Sequence, residues 1–349
     1  MQVQVHGGDI YAKEYRMDFS ANINPLGPPR KVMEAACQGV RLSMAYPDIR
    51  CGKLRQAISE TEQIPEDWII CGNGAAELIF ALALAVKPGR ALLVAPGFAE
   101  YEQALRAVDC QIQFYECDRA HGFALQEDYL ERITGDLDII FLCNPGNPTG
   151  LLISQKLLEK IAERCRENHV LLVVDECFNG LLLQGKQVTM KRYLKEMPGL
   201  FLLNAFTKLY AMAGLRLGYG LCSDKKLLER ISQVTQPWNV SVPAQMAGIA
   251  AVKEREFVQK SREYIARERE FLKQGLQKLG VTYYDSQANY IFFEGPDDLY
   301  EKCQVQGILI RDCRNYRGLR TGYYRIAVRT RRENEELLNV LKLVDFADV

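Results

Sequence analysis

Residues 137–176 read LDIIFLCNPGNPTGLLISQKLLEKIAERCRENHVLLVVDE. The apolar run LDIIFLC stops at a turn of Asn, Pro, Gly and Thr. A stretch with apolar residues at helical spacing follows, and a second apolar run, VLLVVDE, ends on acids. Short runs without polar alternation read as strands covered on both faces, and a helix between two of them is the crossover that parallel pairing requires. The same alternation extends outward: WIICG before AAELIFALALAV, ALLVAP before AEYEQALRAV, then GLFLLNAF and LRLGYGLC. The expected fold class is therefore α/β, with a large domain over residues 40–235 whose mostly parallel sheet is covered by helices.

After PWNVSVPAQ the pattern changes to a long charged helix, KEREFVQKSREYIARERE, followed by the strand-like NYIFFEG, ILIRDC and YYRIAVRT and a closing helix near ENEELLNVLKLV. This predicts a smaller α+β domain over residues 236–349. Residues 1–39 contain SANINPLGPP, whose X-Pro steps favour extended backbone, and are expected to form an arm that packs on the small domain.

With 349 residues, 48% hydrophobic and 25% charged, the chain can bury one large core and a second smaller one. Lys+Arg and Asp+Glu both number 44, so no net field draws nucleic acid or an anionic membrane, and a bound anion must be held by a local site. The N-terminus lacks the basic-then-apolar pattern of a secretory signal. The longest apolar stretch, around Leu78 to Val86, is about half the length a bilayer span requires. A cytoplasmic location is expected. Eleven cysteines occur singly without a CxxC pair and histidines number three, so the thiols read as reduced core residues and no metal site is expected.

In open α/β sheets ligands sit at the carboxyl ends of the strands. Gly72-Asn73-Gly74-Ala75-Ala76-Glu77 follows WIIC; it is either a plain strand-to-helix turn or an anion seat made by free N–H groups and the helix dipole. Glu77 stands where the dinucleotide fingerprint needs its third glycine. Asn144-Pro145-Gly146-Asn147-Pro148-Thr149-Gly150 is a stiff turn that presents an amide. Asp175 ends an apolar strand, where it either caps the next loop or meets a cation such as a protonated pyridine nitrogen. Lys208 follows FLLNAF; next to buried apolar segments a lysine loses its proton more easily and can attack an aldehyde, the alternative being an ordinary surface lysine. Arg216 offers a planar fork for phosphate.

Read in order, GNGAAE, NPGNPTG, DEC, TK and GLRLGY resemble the pyridoxal-phosphate-dependent enzymes of the aspartate aminotransferase superfamily over essentially the whole chain. The resemblance implies a PLP-dependent transferase-like fold with pyridoxal 5'-phosphate as cofactor, held as a Schiff base on Lys208. It implies Asp175 paired with the ring nitrogen, Asn147 bonded to the ring hydroxyl, and Phe98 stacked on the ring. Gly74, Ala75, Thr207 and Arg216 would hold the phosphate. It also implies a homodimer, with Tyr46 reaching the phosphate in the neighbouring subunit. Two groups within the superfamily are similar: histidinol-phosphate aminotransferases and the L-threonine-O-3-phosphate decarboxylases of cobalamin biosynthesis. HGG at residues 6–8, DFSANINPLGPP, PGFAEYEQAL, ILIRDCRNY and YYRIAVR look like the second group. That likeness implies a carboxy-lyase producing (R)-1-aminopropan-2-yl phosphate, with His6, Gly7, Asn22 and Asn147 at the substrate and Arg311 and Arg325 on its anionic groups. The alternative is amine transfer between histidinol phosphate and 2-oxoglutarate. Two residues depart from the aminotransferase pattern: Phe178 stands where a tyrosine is usual, a departure the decarboxylases share, and Ala205 where a phosphate-binding Ser or Thr is often found.

Overall fold

The computed structural model of the chain describes residues 7–11 and 14–346. After β1 (Met17–Asp18), helices α1 (Arg30–Arg41) and α2 (Gly52–Glu62) lead into β2 (Ile69–Gly72), α3 (Gly74–Val86), β3 (Arg90–Ala95), α4 (Ala99–Arg106) and β4 (Gln111–Glu116). The crossover unit read first in the sequence is β5 (Ile139–Cys143), α5 (Gln155–Glu167) and β6 (Leu171–Asp175). It is followed by β7 (Leu200–Ala205), α6 (Phe206–Leu209), β8 (Gly218–Leu221), α7 (Lys225–Val234) and α8 (Val242–Ala251). The rest comprises α9 (Arg255–Lys278), β9 (Tyr290–Glu294), α10 (Leu299–Val305), β10 (Ile308–Leu309), β11 (Arg311–Asp312), β12 (Tyr323–Ala327) and α11 (Arg331–Leu341).

Seven strands form one sheet in the order β2-β8-β7-β6-β5-β3-β4. Neighbours from β7 to β4 run parallel, and β8 is antiparallel to both β7 and β2. The sheet is thus mostly parallel, as its near-continuous apolar runs require. β4, with sequence QIQFYE, was not among the expected strands: it lies at the sheet edge, no residue of it is fully buried, and no continuous apolar run marks it. Helix α5 shows how the covering layer is encoded. Ser154 caps it by accepting from the Leu157 N–H at 3.2 Å, and Leu157, Leu158, Ile161, Ala162 and Cys165 form the stripe it buries.

Helices α1 and α8 both pack into the core of the large sheet. Val32 and Ala36 of α1 and Ala244, Ala247 and Ala251 of α8 lie in the core of the large sheet. The two helices approach so closely that a Cβ on Gly39 would sit 2.5 Å from Pro243 Cα. Residues 30–41 therefore belong with the large core, as do residues 242–251, whereas the small-domain core takes up Ile265, Leu272 and Leu276 of α9. Among the described residues of the expected arm, Met17 and Phe19 enter the small-domain core, β1 pairs in parallel with β10, and the Ser20 and Asn22 carbonyls accept from Arg325 and Asn289. No helix among the described residues is long and apolar enough to cross a membrane.

Because β5, β6 and β7 run parallel and in register, with Cys143 beside Asp175 and Asp175 beside Leu203, the turns that follow them open on one sheet edge. The antiparallel β11-β12-β9 sheet of the small domain contributes the opposite wall.

Candidate active site

That edge and that wall enclose a cavity of about 1250 Å³ lined by Asn22, Phe98, Asn147, Asp175, Thr207, Lys208, Arg216, Arg311 and Arg325, among others. Lys208 sits on α6, directly beyond β7. Burial lowers its pKa to about 8, helped by the positive charges of Arg325 and Arg216. Its ammonium lies 5.7 Å from the centre of the buried Phe178 ring. At neutral pH this amine is far closer to its nucleophilic form than an exposed lysine. Competitive acetylation of the cofactor-free chain should therefore show Lys208 reaching half its maximal reactivity near pH 8, against about 10.4 for exposed lysines; a midpoint shared with the surface lysines would contradict this.

Asp175 ends β6 at 5% exposure. Burial raises its pKa, while donors pull it back: the Cys177 N–H reaches Oδ1 at 2.9 Å and the Tyr101 hydroxyl reaches Oδ2 at 2.6 Å. The carboxylate is thus fixed in orientation at the floor of the cavity. Phe98 precedes the first turn of α4 and packs edge-on against Tyr101, with ring centres 5.5 Å apart.

The turn after β2 builds a second feature. Gly74 opens α3 with a φ of +80°, and a Cβ there would lie 2.5 Å from the Arg216 guanidinium. A Cβ on Gly218 would lie 2.6 Å from the Ala75 nitrogen. Both glycines are needed for backbone, guanidinium and the α3 N-terminus to converge, which makes a cationic seat rich in N–H donors. Thr207 and Ala205 line the cavity beside it; Ala205 brings no hydroxyl.

Across the cavity, Arg311 and Arg325 are direct partners on β11 and β12 and are 6% and 5% exposed. Like charges placed opposite each other on adjacent strands repel, so an anion between them relieves a cost built into the fold. Arg325 donates to Asn147 Oδ1 and, at 2.9 Å, to the Ser20 carbonyl, and Arg311 donates to Asn315 Oδ1 at 2.8 Å. With Oδ1 engaged by Arg325, and by the Tyr316 hydroxyl at 3.4 Å, Asn147 is oriented through that oxygen and its amide N–H₂ is the donor left for a ligand. Asn22 is 2% exposed, and its Oδ1 has no hydrogen-bond partner among the described residues. Gly7 packs where a Cβ would meet the Ser20 carbonyl oxygen at 2.3 Å, so the arm lies against the cavity rim.

Thirteen of the fourteen residues singled out from the sequence lie in the described part; His6 lies outside it. Tyr46 does not line its own chain's cavity. It is 78% exposed and stacks on Trp238 at 4.5 Å. Several cavity residues were not read from the sequence: Tyr101, Glu100, Asn315, Tyr316 and Ser20. Tyr101 stands three positions after Phe98, a spacing that puts both on one helical face and could have flagged it. Asn315 and Tyr316 act through a turn whose contacts no local pattern signals. Glu100 shares the cavity, and burial, reinforced by Asp175, pushes its pKa up to about 7.

The family model described as Aminotransferase class I and II matches residues 15–341. The chain belongs to that family. Among curated class I and II relatives, a Threonine-phosphate decarboxylase of Salmonella typhimurium is 39% identical over 97% of this chain and 96% of the relative. A Histidinol-phosphate aminotransferase of Methanosphaera stadtmanae is 30% identical over 95% of this chain and 91% of the relative. Among solved structures of the fold, the histidinol-phosphate aminotransferase from Clostridium acetobutylicum superposes with a TM-score of 0.87 at 28% identity, covering 93% of this chain and 98% of that one.

Proposed function

We propose that this class I and II aminotransferase family member is a pyridoxal 5'-phosphate-dependent L-threonine-O-3-phosphate decarboxylase, which makes (R)-1-aminopropan-2-yl phosphate for cobalamin biosynthesis. The observation that carries the reading is one cavity holding a lysine with a pKa near 8 and, on facing strand positions, two buried arginines suited to a substrate with two anionic groups. The relative named for that activity supports it.

The residues present fit the cofactor. A phosphate matches the seat of Gly74, Ala75, Thr207 and Arg216, where a glycine Cβ would collide with the guanidinium. Asp175, buried yet held by two donors, matches a protonated ring nitrogen, and the Asn147 amide matches a ring oxygen. When bound, the cofactor supplies the aldehyde that Lys208 engages and an electron sink for a bond broken at the substrate α-carbon. Arg311 and Arg325 would fix the substrate's anionic groups and thereby decide which bond of its α-carbon is presented for cleavage. Lys208 Nζ, its pKa near 8, holds the proton that returns to the α-carbon once CO2 has left. Phe178 covers the amine with an apolar ring and brings no hydroxyl to it.

Purified protein given labelled O-phospho-L-threonine and the cofactor, without any oxoacid, should release labelled CO2. Amine transfer from histidinol phosphate to 2-oxoglutarate, with no CO2 from threonine phosphate, would overturn the assignment. Gly74→Ala should weaken cofactor binding at least about fivefold, because a non-glycine residue at positive φ costs about 1–3 kcal/mol before the displaced Arg216 is counted. A titration of the cofactor followed by its absorbance reads the change.

The same proposal includes a homodimer. Val40, Leu42, Met44, Tyr46, Ile49 and Trp238 expose apolar surface on one stretch of the large domain, and Tyr46 would reach the phosphate in the neighbouring subunit. Mixing inactive Lys208→Ala subunits with Tyr46→Ala subunits should then restore turnover, since each hybrid dimer carries one intact site. Equal activity before and after mixing would place Tyr46 outside the neighbour's site. Activity in the cytoplasm suits a chain whose eleven cysteines are thiols.

A further inference from the structure

Phe98 stands just before α4, and Tyr101 lies in the helix's first turn, three positions on. Tyr101 is 4% exposed and lies parallel to Phe141, ring centres 5.0 Å apart at an interplanar angle of 18°. Phe98 meets it edge-on. These contacts leave the phenol little freedom, and its hydroxyl donates to Asp175 Oδ2 at 2.6 Å. The other carboxylate oxygen takes the Cys177 N–H. Burial beside Asp175 pushes the Tyr101 pKa well above its ordinary value, so the hydroxyl stays a donor at any working pH.

We propose that Tyr101 is a positioning residue that keeps the proton shared between Asp175 and the cofactor's ring nitrogen on the nitrogen. This rests on the reading that the cavity takes pyridoxal 5'-phosphate. A donor on a buried carboxylate lowers its proton affinity, and a neutral one does so without adding a charge that would repel the ring. With Tyr101 in place the pair is carboxylate and protonated nitrogen, the form in which the ring draws electrons most strongly. Without its hydroxyl, the proton moves toward Asp175 and the ring becomes a poorer sink.

The test is the ¹⁵N resonance of the ring nitrogen in holoenzyme loaded with ¹⁵N-labelled cofactor, for wild type and Tyr101→Phe. Asp175→Asn marks the unprotonated limit. Tyr101→Phe keeps the stacked ring and removes only the hydroxyl. Its resonance is expected to move toward that limit while kcat falls between about tenfold and a hundredfold, the range for a lost hydrogen bond to a charged group. A Tyr101→Phe resonance equal to wild type overturns the inference, whatever happens to kcat. Should that variant not fold, 3-fluorotyrosine at position 101, a stronger donor of the same shape, is expected to leave the nitrogen at least as protonated as in wild type. Movement toward the Asp175→Asn limit overturns the inference. Failure of wild type to bind the cofactor sinks the cofactor reading instead, so the two failures are distinct.

Discussion

Lys208→Ala is expected to lower kcat on threonine phosphate by about 10³- to 10⁴-fold, since the variant loses both the attacking amine and the proton carrier at the α-carbon. No other lysine lines the cavity among the described residues, so none stands ready to substitute. The fold should tolerate the change. Burial lowers the Lys208 pKa to about 8, which means that below that pH the folded chain bears the cost of an ammonium held among Phe178, Arg325 and Arg216. That cost fades as pH rises from about 8 toward the unfolded value of about 10.4. Alanine removes it, so the cofactor-free variant should be at least as heat-stable as wild type at pH 7, with the difference shrinking at pH 10. Borohydride treatment of wild-type holoprotein should leave the cofactor's mass on the peptide containing Lys208. Full turnover by the variant, or a label on another lysine, would remove the basis of the proposed chemistry.

Arg325→Gln is expected to reduce kcat/KM by about 10²- to 10³-fold, the range for truncating one member of a buried, hydrogen-bonded charge pair. The loss has two sources. One anionic group of the substrate forfeits its partner, and Asn147, whose side-chain oxygen accepts from Arg325, forfeits the contact that aims its amide into the cavity. Arg325→Lys should recover little, because the wild-type guanidinium reaches Asn147 and the Ser20 carbonyl with separate nitrogens, a fork that one ammonium does not reproduce. Inorganic phosphate offers a check independent of turnover. By neutralising the repulsion between Arg311 and Arg325 it should raise the melting temperature of wild type more than that of Arg325→Gln, which lacks the second charge. A phosphate effect of equal size in wild type and Arg325→Gln would place the anion elsewhere, and an unchanged kcat/KM would remove Arg325 from the substrate site.

Chain order and periodicity determined the α/β class, most strands of the large sheet, and the positions of Asn147, Asp175 and Lys208 at strand ends, because these depend on which short segments are apolar and what punctuates them. The ordered turns were also enough for the resemblance that named the cofactor. The tertiary structure decided what depends on contacts between distant segments. Helix α8 follows the expected boundary at 235 yet lies in the large core, because Gly39 lets α1 close on Pro243. Strand β4 owes its place to pairing with β3 at the sheet edge and carries no apolar run of its own. Tyr101 meets Asp175 across 74 positions and Arg325 meets Asn147 across 178. Such pairs have no signature at short range, since hydrogen bonds between side chains are set by the packing of whole elements, and local pattern records only which residues prefer to be buried.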